Sequence, residues 1–318
     1  MKTVLTLLFA VVTALSIVGC RNEPPAGTMR YIAFRVYDPV YIAYEKGFFE
    51  KRGISVEIID LIAGGPVAIQ AVAGGSAEAG LSSIMAIISA RAQGLPIIGV
   101  SDIQSAIGNQ ALQEFFVRAD SGIYSVADLR GRTIAINLVR SSFHYTLLMA
   151  LEAVGLSESD VNFIILPFDQ QVLALVNGSV DVIGLMQPHI RNAAERPYLK
   201  RLFTTHDVFG NKQFTLHFLN YEWAQNNEKT ATAFVAAIAD AAAWIENNQD
   251  AAREIIARHT GVDIRFVENY YFQPNAMVVL EDAQIWLDYM RAANEITADW
   301  LQVSDFATNR FNPFVMED

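Results

Sequence analysis

The chain has 318 residues, 52% of them apolar, one Cys, and 23 basic against 34 acidic side chains, a formal net charge of −11. So apolar a chain is not disordered, and its length suits one large domain or two lobes around a buried core. One Cys excludes a disulfide framework and a Cys-rich metal site, and the acidic balance argues against a nucleic-acid partner; the common nucleotide-loop, hydrolase-elbow and zinc-helix signatures are absent from the sequence.

Lys2 followed by the apolar run Val4–Val18 has the layout of a secretory signal, since the run falls short of the roughly 20 apolar residues a spanning helix needs. It ends Ile17-Val18-Gly19-Cys20. A small residue before the only Cys resembles the bacterial lipobox, so residues 1–19 are expected to be removed and Cys20 to carry lipid. The competing reading is a free Cys in an ordinary signal peptide. Residues 20–29, with Pro24, Pro25 and Gly27, are expected to form a tether. Loss of Lys2 with residues 1–19 lowers the basic count from 23 to 22 against 34 acids, a net of −12. The expected location is the extracytoplasmic face of a cell membrane, held there by acyl chains.

From Met29 onward strands and helices alternate. Arg30–Val36 is a strand candidate, and Val40–Lys46 a helix candidate stopped by Gly47. Ser55–Leu61 is β-rich, Pro66–Ala73 is helical with Pro at its start, and Ala79–Ser82 and Ile97–Gln104 read as short buried strands. This alternation predicts an α/β lobe with a largely parallel sheet. A second lobe echoes the first. Gly75-Ser76-Ala77-Glu78 is answered by Gly178-Ser179-Val180-Asp181, the strand Val56–Leu61 by Val161–Leu166, and Gly47 by Gly155, all at offsets of about 105 residues. Beyond about Tyr221 the chain turns helical, over Lys229–Asn247, Ala251–His259 and Gln284–Asp299, and these helices are expected to return to the first lobe. The expected division is residues 30–116 with 217–318 as lobe 1 and 117–216 as lobe 2. Hinge passages are expected near Glu114–Arg118 and Gln213–Leu219.

The stretch Pro39-Val40-Tyr41-Ile42-Ala43-Tyr44-Glu45-Lys46-Gly47-Phe48-Phe49 through Gly53-Ile54-Ser55-Val56-Glu57 resembles the opening of ABC-transporter substrate-binding proteins of the nitrate/sulfonate/taurine and thiamin-pyrimidine (NMT1/THI5-like) family. Gly64-Gly65-Pro66, Gly75-Ser76-Ala77-Glu78, Arg91-Ala92-Gln93-Gly94-Leu95-Pro96 and Asp128-Leu129-Arg130-Gly131-Arg132-Thr133 continue the likeness, which covers roughly residues 30 to 220. It implies a two-lobed periplasmic-binding-protein fold (type II) that closes on a small molecule by hinge motion and then docks on a membrane permease. The permease and its ATPase would be separate chains, and a monomer without cofactor, metal or catalysis is expected. Eukaryotic members of the superfamily synthesise a thiamin pyrimidine and carry a Cys-rich motif. Here the only Cys belongs to the lipid site, a departure that argues against an enzyme.

Candidate ligand contacts follow from the carboxyl edges of the two sheets, where ligands sit in open α/β folds. Tyr37 and Tyr41 offer rings to a flat ligand and Asp38 an acceptor, unless Asp38 caps a helix that begins at Pro39. Gly65 opens a helix whose bare N–H groups suit a polar ligand atom, or it makes a plain turn. Ser82 and Ser83 leave a strand, and one of them suits a helix cap. In the second lobe, Asn137, Arg140, Ser141, Ser142, Phe143 and His144 join a strand to the helix Tyr145–Val154, with Arg140 the one plausible cation. Phe168 and Gln187 lie on the same edge. Asn269-Tyr270-Tyr271-Phe272 could reach the cleft, though an aromatic run is more often core, and His189, His206, His217 and His259 are given no role. Aromatic walls, neutral or acidic partners and one cation favour a neutral, flat heteroaromatic ligand. Within the resembled family that means riboflavin first, a thiamin-precursor pyrimidine second, and nitrate, sulfonate or taurine third.

Overall fold

The computed structural model describes residues 27–60, 64–105, 107 and 110–315. The expected signal segment, Cys20 and most of the tether lie outside the described residues. Among the described residues the strands are β1 Thr28–Ala33, β2 Ser55–Asp60, β3 Ala79–Ser83, β4 Ile97–Ser105, β5 Gln113–Arg118, β6 Thr133–Ile136, β7 Asn162–Ile165, β8 Val182–Met186, β9 Leu199–Thr204 and β10 Gln213–Asn220. The helices are α1 Pro39–Glu45, α2 Phe48–Lys51, α3 Gly65–Ala73, α4 Ile84–Ala92, α5 Ser142–Glu152, α6 Phe168–Val176, α7 Ile190–Ala194, α8 Thr205–Phe209, α9 Tyr221–Asn226, α10 Glu228–Asn247, α11 Gln249–Thr260, α12 Leu280–Ala292 and α13 Val303–Phe306.

Two five-stranded sheets result, ordered β2-β1-β3-β10-β4 and β7-β6-β8-β5-β9. In the first, β1 runs parallel to β2 and β3, while β10 is antiparallel to β3 and β4. In the second, β6 runs parallel to β7 and β8, while β5 is antiparallel to β8 and β9. The fourth strand of each sheet, β10 or β5, directly follows a strand of the other sheet, and the two-lobed α/β architecture follows. Every residue of β3 and β8 is buried. That is why β8, Val-Ile-Gly-Leu-Met, reads as an apolar run rather than as alternation.

The sequence echo has a structural counterpart. Gly75 and Gly178 take left-handed φ values of 77° and 80°, which release the chain from α3 and α6. The acid that follows then binds the first strand of its own lobe. Glu78 Oε2 accepts the Arg30 N–H at 2.6 Å, and Asp181 Oδ2 accepts the Thr133 N–H at 2.9 Å. Their own N–H groups donate back to the Arg30 and Thr133 carbonyls at 3.0 and 2.8 Å.

The C-terminal helices return to the first lobe. Phe234 of α10 stacks on Phe49 of α2 at 5.8 Å, and Arg52 holds Asp240 through bonds of 2.9 and 2.8 Å. Trp286 of α12 is buried against Phe209 and Phe214 and donates its Nε1–H to the Gln213 carbonyl at 2.7 Å. Three boundaries differ from expectation. The last long helix spans Leu280–Ala292 rather than Gln284–Asp299, because Asn294 turns left-handed (φ 54°) and the Glu295 N–H closes on the Met290 carbonyl at 2.9 Å. Helix α5 begins at Ser142, one turn before the expected Tyr145. The stretches expected as hinges are the strands β5 and β10 themselves, so Gln113–Phe116 pair in the second sheet and Gln213–Leu216 in the first. The crossings precede each strand, between β4 and β5 and between β9 and β10. Phe115, Phe116, Phe214 and Leu216 are fully buried in sheet positions, which a connection would not require.

Candidate functional site

The carboxyl ends of β1, β3, β6 and β8 open on one cavity of about 700 Å3 between the lobes. Lobe 1 contributes Phe34, Arg35 and Val36 after β1, Gly64 to Pro66 at the start of α3, Leu81 to Ser83 at the end of β3, and Thr215 of β10. Lobe 2 contributes Asn137, Leu138 and Ser141 to Phe143 between β6 and α5, then Ile165 and Pro167 to Asp169 around the start of α6, and Met186, His189 and Asn192 after β8. The lobes approach closely here, since a methyl group placed on Gly64 would lie 3.2 Å from Asn137 Nδ2.

Eight of the expected contacts line this cavity: Gly65, Ser82, Ser83, Asn137, Ser141, Ser142, Phe143 and Phe168. The two adjacent serines divide their roles. Ser83 Oγ accepts the Ala86 N–H at 3.2 Å and caps α4, whereas Ser82 Oγ is buried with no hydrogen-bond partner among the described residues. Ser141 sits at the N-cap of α5, yet its hydroxyl donates to Asn137 Oδ1 at 2.8 Å. Ser142 Oγ accepts from Gln113 Nε2 at 2.6 Å, which ties the cavity wall to the first residue of β5. Phe143, Phe168 and His189 form a continuous aromatic tier, with centroids 5.1 Å apart for the first pair and 5.6 Å for the second. Phe34, Val36 and Phe266 supply apolar surface from the other lobe.

Six expected contacts lie elsewhere, each for a visible reason. The Tyr37 ring stacks on Tyr270 at 5.0 Å and the Tyr41 ring on His259 at 4.5 Å, so both faces expected for a ligand meet the C-terminal half of the chain instead. The Tyr41 hydroxyl also donates to the Phe34 carbonyl at 2.7 Å. Asp38 is fully buried: it caps α1 through the Val40 N–H (2.9 Å), accepts the Tyr31 hydroxyl (2.6 Å) and meets His217 Nε2 (3.1 Å). Arg140 takes a left-handed φ of 60°, gives its N–H to His144 Nδ1 at 3.2 Å and leaves its side chain exposed. His144 is buried between that N–H and Glu158, 3.1 Å from its Nε2. Gln187 gives its side-chain amide to Glu268 of the other lobe.

Sequence reasoning missed Arg35, His189, Asn192 and the segment Thr260 to Asp263 with Phe266, all of which line the cavity. The helix stop at Gly261 (φ 73°) is legible locally. That it overhangs the cleft depends on the return of α10 and α11 to lobe 1, for which no short motif exists.

The site is mostly apolar, and its charges nearly balance. Among the described residues the lining carries one Arg, Arg35, against Asp169 and Asp263. Two Arg265 nitrogens and the Arg265 N–H hold the Asp263 carboxyl down at about 2. Burial pushes the His189 imidazole below its ordinary pKa, against an opposing hydrogen bond to the Arg35 backbone. Above that pKa His189 is neutral, and it adds a ring rather than a charge. Such a lining can sandwich a flat ring system and hydrogen-bond a few hydroxyls or amides. Among the described residues it offers one Arg, where a desolvated anion wants several cations or aimed donors.

Riboflavin-binding protein RibY of Chloroflexus aurantiacus is 27% identical over 309 residues, which covers 90% of this chain and 85% of that protein. The alkanesulfonate-binding protein SsuA of Xanthomonas axonopodis pv. citri, bound to MOPS, superposes with a TM-score of 0.74 at 18% identity, over 90% of this chain and 99% of that one. The periplasmic nitrate-binding protein NrtA of Synechocystis PCC 6803 does so at 0.73 and 15% identity, over 91% and 88%. The two solved structures share the two-lobed binding-protein fold. A family model described as NMT1/THI5 like matches residues 36–252, well over half of the sequence, and the chain belongs to that family.

Proposed function

We propose that the protein is the extracytoplasmic solute-binding component of an ABC importer, anchored through Cys20, and that it delivers riboflavin to a membrane permease. The observation that carries the ligand reading is the aromatic tier Phe143–Phe168–His189 in a cavity of about 700 Å3. Cavities of roughly 300–1,000 Å3 suit ligands of drug size, whereas nitrate or taurine would leave most of this one empty. An isoalloxazine plane suits the tier, and ribityl hydroxyls suit Ser82, Asn137 and Asp169. The RibY likeness supports the same ligand. A thiamin-precursor pyrimidine would use the same walls with less of the volume. Catalysis of the thiamin-pyrimidine type is disfavoured because the sequence holds a single Cys, Cys20, where the eukaryotic enzymes carry a Cys-rich motif.

The test is titration with riboflavin, following quenching of flavin fluorescence, beside calorimetry with the pyrimidine and with taurine. Saturable quenching with unchanged flavin recovered afterwards is expected. Tight taurine or nitrate binding with none for riboflavin would overturn the reading.

A further inference from the structure

The loop that leaves β8 is gripped by lobe 1 at two points. The Tyr37 N–H donates to the Gln187 carbonyl at 3.3 Å. The Gln187 side-chain amide donates to the Glu268 carboxylate. Gln187 belongs to lobe 2. Tyr37 follows β1 of lobe 1, and Glu268 is fastened to lobe 1 by its neighbours. The Val267 carbonyl accepts from Arg253 Nε of α11 at 2.6 Å, and the Tyr270 N–H donates to Gln249 Oε1 at 3.1 Å. Met186 and His189 on either side line the cavity, while Gln187 does not. A side chain that spans the lobes beside the ligand without lining its cavity is placed to act on closure.

We propose that the Gln187–Glu268 hydrogen bond is an interlobe latch: the two are positioning residues that set how long the closed cleft keeps its ligand. The geometry separates this role from the clasp's backbone arm. The Tyr37–Gln187 bond uses main-chain atoms and survives any substitution at 187. The side-chain arm couples an amide to a carboxylate, and hydrogen bonds to charged groups are among the stronger ones. Because the bond exists only when the lobes meet, its loss raises the rate of opening and leaves the encounter of ligand with the open form unchanged.

The ligand arm of the test rests on the riboflavin reading above; the second arm does not. Gln187→Glu sets two carboxylates against each other. Glu268→Gln keeps shape at a partly exposed position and removes the charge. The double variant Gln187→Glu with Glu268→Gln restores one amide and one carboxylate in reversed order. Stopped-flow release of riboflavin should quicken by about tenfold or more in Gln187→Glu, with an unchanged association rate, and return toward the wild-type rate in the double variant. Small-angle scattering of the ligand-free proteins should show Gln187→Glu more expanded than wild type and the double variant recompacted. If riboflavin does not bind, the scattering arm still decides. Scattering unchanged by Gln187→Glu, or a double variant as open as the single one, would overturn the latch.

Discussion

Gly65 touches Ser82 so closely that no side chain fits between them. A methyl group on Gly65 would lie 2.9 Å from both the Cα and the Cβ of Ser82, and closer still to its hydroxyl. The start of α3 thereby rests on the end of β3, and Ser82 Oγ is left buried beside the cavity without a partner. Gly65→Ala must push α3 off the strand, and a loss of riboflavin affinity of tenfold or more is expected. Ser82→Ala separates binding from stability. On the proposed riboflavin reading, removing a buried hydroxyl that bonds nothing among the described residues should leave the melting temperature unchanged or slightly higher, while riboflavin loses a hydrogen bond of about 1 kcal/mol, roughly fivefold in Kd. A lower melting temperature with unchanged Kd would contradict this assignment of Ser82.

The lobes were legible in the sequence because their signals are local. Gly-Ser-x-acid recurs since a left-handed Gly must end each helix and the acid must answer the first strand, as Glu78 and Asp181 do. Cavity residues at or just beyond the carboxyl end of a strand, such as Ser82, Asn137 and Phe168, were legible for the same reason. What failed were choices between partners distant in sequence. Tyr37 and Tyr41 have the chemistry of ligand walls, and only the return of the C-terminal half places Tyr270 and His259 on their faces. Arg140 looked like an anion contact until a left-handed backbone turned its N–H to His144. The hinge stretches were misplaced because a buried antiparallel strand and an apolar connection read alike over six residues.

Asp38 and His217 form a buried pair at 3.1 Å, extended by Ser101 Oγ at 2.9 Å on His217 Nδ1 and by the Tyr31 hydroxyl on Asp38. Neither side chain of the pair is exposed. Asp38→Ala would strand three polar groups away from water: the Tyr31 hydroxyl, the Val40 N–H and the His217 ring. A cost of about 3–5 kcal/mol is expected, which lowers the melting temperature by roughly 10 °C or more. At a temperature where the variant is folded, its riboflavin Kd should change by less than about threefold, since the network acts on lobe 1 and not on the ligand. Thermal unfolding with fluorescence titration checks both parts, and a Kd lost without a change in stability would return Asp38 to the site.

Lipid anchoring at Cys20 predicts a processing phenotype. Cys20→Ser should yield an unprocessed or released protein in cells, with no acyl mass on the chain, whereas the wild type should lose residues 1–19. Mass spectrometry of membrane and soluble fractions reads the outcome. Normal lipid on the Cys20→Ser chain would sink the assignment.

Asp102 gives a pH signature of known sign. Burial raises its carboxyl to about 6, against the Gln273 N–H, the Ser105 hydroxyl, the Gln213 amide and the charge of His217, all of which pull it down. The three hydrogen bonds each measure 2.8 Å. In the unfolded chain the same group titrates near 3.9. Between about pH 4 and 6 the folded state therefore holds more of the proton than the unfolded state does, so this group's contribution to stability falls as pH rises and levels off above about 6. A shift of about two units corresponds to about 3 kcal/mol. Asp263, held at about 2, acts in the opposite sense at lower pH, below this window. Urea denaturation of wild type and Asp102→Asn from pH 4 to 8 isolates the effect in the difference. The variant should gain about 2 kcal/mol relative to wild type on going from pH 4 to 7, since part of the two-unit shift falls below pH 4, on top of a constant loss for the weakened hydrogen bonds. A difference that stays flat across that range would show that Asp102 titrates normally in the folded protein.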